Sequence, residues 1–560
     1  MDDAAADLRT ALASLAAHVE RAGFELPAVA SEARRGLRDD ALGAVRDHLL
    51  PRLAQLDAPV VAVVVGPTGA GKSTLVNSLA GAEVSTAGPL RPTTREPVVW
   101  THRDAAGPDG RSWDRVGPVQ VVTHDDPAMA GVTLVDAPDL DSVETRNREL
   151  ADDLLAVADL CVFVTSAQRY ADAIPWDVLR GVRARDLPLV LVCNRLPPDG
   201  EAVVADLRRR LAAEGDLVAD AVVTIAESEP VAATSRLPAD RVAVLRERLE
   251  RLADPGERRE VVLAAVRSGL QRVGSLVREV QEAVTAERRE VAALRTAASD
   301  AYAEQADVLA RSLRDGQLIR DEVLVRWQEY VGTGELLRVL GQGAGRVRGW
   351  LRSVFGGTQR AADVRAEAGS TLAEDIARRA DRAAAGAATS WELSDAGRQL
   401  LSPDLVRVDP ATAPRARAAV DDWMAGLAAL VEELGASRRR TARAASIGVN
   451  VAAVSAMLAV FAQTGGLTGA EVGITAGAAA VQQRLLEHLF GTAAARQLVT
   501  EGRERLDALV ADVMGADLRR WTDRVDPLAP PEGLEDELAA ALDAVEAHAT
   551  SAMRAWGAHG

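Results

Sequence analysis

Hydrophobic positions fall into distinct patterns along this chain. Short, nearly unbroken apolar runs occur at Val60–Val65, Val132–Val135, Leu160–Val164, Leu189–Cys193 and Val222–Ile225. They are rich in β-branched residues and lack polar alternation, the signature of strands buried on both faces of a parallel sheet. Past Leu252-Ala-Asp-Pro-Gly256 the text reads as helix throughout. Apolar residues recur at Val266, Leu270, Val273, Val277, Val280, Val284, Val291 and Leu294, in alternating steps of four and three with one seam position skipped at Glu287. That is a heptad seam, so a long helix packs on partner helices. Leu8, Leu12, Leu15 and Val19 form a similar seam near the start. The expected architecture is an α/β domain with a mostly parallel sheet and flanking helices, joined to a long all-α region. The division read from the text is an N-terminal helical segment over 1–57, the α/β domain over 58–255 and helices over 256–560, with a further break at Asp526–Pro531.

Composition narrows the class. The chain has 560 residues, 48% hydrophobic, with a net charge of -17. It is too long and too apolar for a disulfide-stapled miniprotein or a disordered chain, and too acidic for broad salt-driven nucleic-acid binding. Two cysteines, Cys161 and Cys193, sit inside apolar strand runs and read as small core residues in a reducing compartment. The N-terminal MDDAAADLRT has no basic stretch leading into an apolar core, so it does not read as a signal peptide, and a cytoplasmic location is expected. Seven histidines are scattered without ligand spacing.

One residue count carries chemistry. Of 65 lysines and arginines, only Lys72 is lysine. A compact ammonium on a flexible stem differs from a planar guanidinium, so a single surviving lysine marks a place where the difference matters. Lys72 lies in GPTGAGKST, Gly66 to Thr74, between the apolar strand at 60–65 and the helical start LVNSLAG. This is G-x-x-x-x-G-K-[ST] in its strand–loop–helix context. Gly66, Gly69 and Gly71 let the backbone N–H groups of Thr68, Ala70 and their neighbours turn toward a phosphate, in a loop that also holds Pro67, and the helix presents its positive end there. Lys72 would reach the β- and γ-phosphates, and Ser73, followed by Thr74, would ligate Mg²⁺. A second apolar strand ends in Asp136, within Val132–Asp139, as suits a carboxylate that holds Mg²⁺. Between the two lies Arg91-Pro-Thr-Thr-Arg-Glu-Pro97, where a threonine would ligate Mg²⁺ and sense the γ-phosphate.

The order of P-loop, threonine loop and D-x-P turn resembles the translation-factor-related GTPases and, within them, the dynamin-like family. TREP, Thr94 to Pro97, resembles the T-R-x-P of dynamin switch I, LVDAPDLDS resembles the switch II phrase, and Ala158–Ala167 resembles the next strand and its end. The similarity covers about residues 58–240, and beyond that it is one of architecture. It implies a P-loop GTPase domain with GTP/GDP and Mg²⁺ as ligands, and an enzyme that hydrolyses GTP, with ATP left open. Lys72, Thr94 and Thr68 are the candidate catalytic residues, and Ser73, Thr94 and Asp136 the metal ligands. Asp139 replaces the switch II glycine whose N–H meets the γ-phosphate, Leu140 follows it without a water-positioning glutamine, and Gly69 and Thr68 stand where dynamins carry serine and glutamine. Slow turnover is therefore expected, with water activation from Thr68, a backbone carbonyl or an arginine of a second copy. The guanine-reading motif is replaced by Asn194-Arg-Leu-Pro-Pro-Asp199: Asn194 would bond the base and the Arg195 stem stack on it, while the aspartate arrives two positions late.

Two segments bear on membranes. ELLRVLGQGAGRVRGWLRSVF, Glu335 to Phe355, carries Arg338, Arg346, Arg348 and Arg352 with no acid after Glu335, a basic amphipathic patch suited to an anionic bilayer surface or, alternatively, a packed helix end. Ala444–Ala470 is 27 residues without a charge, preceded by Arg438, Arg439, Arg440 and Arg443; across 444–483 it reads as a membrane-inserting hairpin, a buried bundle hairpin or two spans. The combined expectation is a dynamin-like GTPase whose nucleotide state is coupled through a helical stalk to anionic membrane lipid, peripheral or partly inserted at the cytoplasmic face, with self-association as a dimer or oligomer and no nucleic-acid partner. The alternative is a soluble GTP-dependent switch acting on a protein partner, with the apolar hairpin buried.

Overall fold

The computed structural model describes residues 2–86, 96–105, 116–138, 145–170, 173–184, 187–213, 221–227, 236–314, 358–437 and 492–557. Thr94, Asp139 and both candidate membrane segments, 335–355 and 444–483, lie outside them. The chain forms two compact units: residues 1–24, 32–286 and 530–560 make the first, and 25–31 with 287–529 the second.

The first unit holds a seven-stranded sheet in the order β3-β2-β4-β1-β5-β6-β7. The strands are β1 (Val60–Val65), β2 (Val98–His102), β3 (Gln120–His124), β4 (Val132–Asp136), β5 (Leu160–Ser166), β6 (Leu189–Leu196) and β7 (Ala221–Ala226). All neighbours pair parallel except β2 with β4. The mostly parallel sheet expected from the apolar runs is therefore present. Every residue of β1, β4 and β5 is buried, because helices cover both faces of a parallel sheet. β3 lies at one edge and is partly exposed along its length, which is why its text lacks a continuous apolar run. Cys161 and Cys193 are buried free thiols, and burial pushes the Cys193 thiol up from its ordinary range.

The same unit contains a helical bundle. Leu8, Leu12, Leu15 and Val19 of the helix Asp2–Glu20 share one core with Val266, Val273, Val277, Val280 and Val284, and with Leu534, Leu538, Leu542 and Val545 of the helix Leu534–Gly557. The linear division at 57 and 255 therefore needs correcting. The helix Leu534–Gly557 packs with the N-terminal helix in the sheet-bearing unit, because its apolar face needs a partner that the first helix supplies. Polar ties at the seam's rim reinforce the pairing: Arg278 donates to Glu546 at 2.9 Å and Gln281 to the Glu535 carbonyl at 3.0 Å. The break at 252–256 is a helix start. The Asp254 carboxylate accepts from Gly256 N at 2.8 Å and Glu257 N at 3.1 Å, capping the helix Pro255–Arg314.

The skipped seam position has a physical cause. Glu287 is fully buried and its Oε1 accepts from the backbone N–H of Leu26 at 2.9 Å. Residues 25–31 cross the helix here, and a carboxylate supplies the acceptor that their backbone needs. The second unit is all helical among its described residues. Thr358–Glu392, Thr412–Ser437 and Thr492–Val525 pack with the later part of Pro255–Arg314 around Trp391, Trp423 and Trp521. No described helix is long and apolar enough to cross a membrane.

Candidate nucleotide site

Parallel strands deliver their carboxyl ends to one rim of the sheet, where open α/β domains bind ligands. The register places Val64 of β1 beside Asp136 of β4, and Ser166 of β5 beside Asn194 of β6. The loop after β1, Gly66 to Gly71, leads directly into the helix Lys72–Ala80. The structure thus gathers the P-loop, Asp136, Asn194 and Arg195 at one rim.

Two glycines are required by the loop's path. A Cβ on Gly66 would lie 2.0 Å from the Val164 carbonyl oxygen, so β5 permits no side chain there. Gly71 has φ 95, a left-handed conformation, and a Cβ there would meet the Asn194 amide nitrogen at 2.5 Å. Thr68 and Ala70 are buried, Gly69 is exposed, and Ser73 and Thr74 on the first turn of the helix are partly buried. Lys72 is 4% exposed, and its Nζ donates to the Gly66 carbonyl at 3.0 Å and the Pro67 carbonyl at 3.3 Å. The lone lysine therefore folds back over its own loop, with its charge held where phosphate would enter.

Asn194 is also buried. Its Nδ2 donates to the Ala70 carbonyl at 2.8 Å and its Oδ1 accepts from Arg195 N at 2.9 Å. One amide thus fastens the end of β6 to the P-loop and shapes the next residue. Arg195 has φ 53, unusual for a non-glycine residue, and is exposed at this rim. Asp199 is exposed in the turn after β6. Gly71→Ala is expected to weaken nucleotide binding at least about tenfold, through backbone strain of ~1–3 kcal/mol and displacement of Asn194 from Ala70. Titration with a fluorescent GTP analogue measures the loss.

Asp136 is fully buried, and its Oδ2 accepts from Ser85 Oγ at 2.6 Å. Asn77, on the inner face of the P-loop helix, is buried too and bonds residues 84 and 85 through its side chain. Sequence reasoning passed over Asn77 and Ser85. Asn77 carried a faint signal, a polar residue among Leu75, Val76 and Leu79 on a helix that must bury that face; Ser85 carried none. The donor set of a serine hydroxyl at Ser73 and a carboxylate at Asp136 is hard oxygen, which fits Mg²⁺. Among the described residues no group of three or more His, Cys, Asp or Glu is arranged to hold a metal ion.

At the opposite end of the sheet, Asp159 precedes β5 and is fully buried. Its Oδ2 accepts from Val61 N at 2.9 Å, and Arg52 Nε lies 3.3 Å from Oδ1. This pair ties the helix Leu50–Ala54 to the start of β1 and takes no part in the nucleotide rim.

Parts of the chain are similar to known proteins. Residues 61–195 match the family described as 50S ribosome-binding GTPase. Over 122 residues the chain is 30% identical to a probable transmembrane GTPase, FZO-like and chloroplastic, of Arabidopsis thaliana; the match covers 22% of this chain and 13% of that protein. A solved structure of an oligomerised bacterial dynamin pair is 12% identical, covering 92% of this chain and 94% of that one with a TM-score of 0.36. LeoA, a bacterial dynamin GTPase from ETEC, is 13% identical, covering 98% of each chain with a TM-score of 0.23. Residues 61–195 form a P-loop GTPase domain, and the chain that carries it is similar to the dynamin-like GTPases.

Proposed function

We propose that this chain is a dynamin-like GTPase that binds GTP with Mg²⁺, hydrolyses it slowly, and couples its nucleotide state to membrane association through the helical region. The observation that carries the reading is the single lysine, buried inside the loop it caps and held by the Gly66 and Pro67 carbonyls, with Asp136 and Asn194 on adjoining strands. Backbone N–H groups of Thr68 to Thr74 bind the phosphates, and Lys72 neutralises the β- and γ-oxygens. Ser73, Asp136 and Thr94 would hold Mg²⁺, which when bound supplies charge neutralisation across the β- and γ-phosphates. The Asp139 N–H meets the γ-phosphate, and Thr68 is the candidate for positioning water. Asn194 bonds the base while anchoring the P-loop, and the Arg195 stem stacks on the base. GTP is favoured over ATP by the resemblance of the domain.

Membrane association is supported by the basic segment 335–355 and the charge-free segment 444–470, and by the description of the Arabidopsis relative as a transmembrane GTPase. Self-association would let a second copy supply the water-positioning group that Leu140 does not. The test is flotation of the full chain on vesicles of phosphatidylserine and phosphatidylcholine, with GDP or a non-hydrolysable GTP analogue, beside Lys72→Ala. Floating that differs between the two nucleotides, and a control that has lost the difference, is the expected result. Recovery in the soluble fraction in every state overturns the membrane reading and leaves a soluble switch that acts on a protein partner.

A further inference from the structure

One side chain, Asn77, holds residues 84 and 85 after the P-loop helix. Asn77 Oδ1 accepts from Val84 N at 2.9 Å and from Ser85 N at 2.8 Å, and its Nδ2 donates to the Ser85 carbonyl at 2.8 Å. The backbone of residue 85 thus has both its donor and its acceptor satisfied by a single amide. Asn77 has no exposure and Ser85 has 2%, so neither bond is weakened by competing water. Held this way, the Ser85 hydroxyl donates to Asp136 Oδ2 at 2.6 Å, a short bond to a charged acceptor. The P-loop helix therefore acts on the carboxylate at one remove: Asn77 holds the backbone of residue 85, and the Ser85 hydroxyl makes the contact with Asp136.

We propose that Ser85 is a positioning residue for Asp136. It fixes the carboxylate's rotation so that it meets the divalent cation accompanying the nucleotide, and Asn77 keeps Ser85 in place. The inference rests on the reading of Asp136 as a metal-supporting residue and deepens it. The chemistry is that of outer-shell partners of metal sites generally. A carboxylate left to rotate must be ordered again each time the cation binds, and removing the partner that orders it typically lowers metal affinity on the order of 10–100-fold. The same bond joins residue 85 to the end of β4.

The test uses the full chain and a fluorescent GDP analogue, titrated with Mg²⁺ from an EDTA baseline. For Ser85→Ala the Mg²⁺ midpoint is expected to rise about tenfold, while affinity for the nucleotide in EDTA stays within about twofold of wild type. Asn77→Ala should move the midpoint in the same direction. Ser85→Cys keeps nearly the same volume with a weaker donor and serves if the alanine variant folds poorly; circular dichroism checks each. An unchanged Mg²⁺ midpoint overturns the proposal, as does an equal loss in EDTA and in Mg²⁺, which marks a general packing role. If the wild type itself binds nucleotide with no response to Mg²⁺, the reading of Asp136 fails and the proposal falls with it, an outcome separate from the first two.

Discussion

Lys72→Ala is expected to lower affinity for GTP on the order of hundredfold or more and to remove hydrolysis. Truncating one partner of a buried, hydrogen-bonded charge contact costs about 2–5 kcal/mol, and each ~1.4 kcal/mol is a factor of ten. Two effects add. The alanine variant loses the cation that would meet the β- and γ-phosphates, and it leaves the Gly66 and Pro67 carbonyls without the donor that now holds the loop's shape. Lys72→Arg restores charge but not function, because a planar guanidinium does not fit between two carbonyls of one tight loop. A fluorescent-GTP titration with a parallel melting curve separates the two effects. A melting temperature near wild type with binding lost is the expected pair; binding within threefold of wild type would remove Lys72 from the site.

The second large effect lies in the helical unit. Asp517 is fully buried and accepts from Tyr302 Oη at 2.5 Å, from the backbone of Asp409 at 2.9 Å and from Arg520 at 2.8 Å. Trp521 Nε1 in turn donates to Tyr302 Oη at 3.2 Å, and Trp391 packs edge-on to Trp521 with ring centroids 4.8 Å apart. One carboxylate therefore joins two helices and the link at 409. Asp517→Ala is expected to destabilise this unit by about 3–5 kcal/mol, since it strands buried donors and an arginine at once. Asp517→Asn should cost less because an amide oxygen still accepts. Urea unfolding followed by tryptophan fluorescence reads both. Burial, and then the bond to Asp517, raises the Tyr302 phenol above its ordinary 10.0. A raised folded-state value means the stabilisation is complete below pH 10 and is lost as the pH climbs past it, when the unfolded chain gives up a proton that the folded chain keeps. Alkaline unfolding should therefore be less steep in Tyr302→Phe, itself less stable by about 1–2 kcal/mol at neutral pH. An unchanged alkaline profile in that variant would count against the buried phenol as its source.

Much of the nucleotide site was legible because its parts are local. The strand, glycines, lysine and hydroxyl of the P-loop are consecutive residues, and their spacing alone dictates the loop they form. Asp136 was legible because it ends an apolar run, and a buried strand exposes its chemistry at its end. Asn194 was legible as the polar residue that closes the apolar run of β6, but its bond to Ala70 was not, since that bond depends on β5 lying between β1 and β6. The break at 252–256 was visible as composition, whereas its role as the Asp254-capped start of a helix needed backbone direction.

What the sequence determined by itself was the set of elements and the chemistry of the phosphate loop, both governed by near neighbours and by period. What only the tertiary structure decided was partnership. The seam of the first helix says that it packs, without saying that residues 534–557 return to meet it. The gap at Glu287 says that a carboxylate is out of step, without saying that Leu26 brings a backbone N–H to it. Ser85 reaches Asp136, and Tyr302 reaches Asp517, across distant stretches of chain. Apolar faces are interchangeable and choose partners by shape, and buried polar groups are satisfied by whatever the fold brings within about 3 Å, so neither choice is written in any local stretch of text.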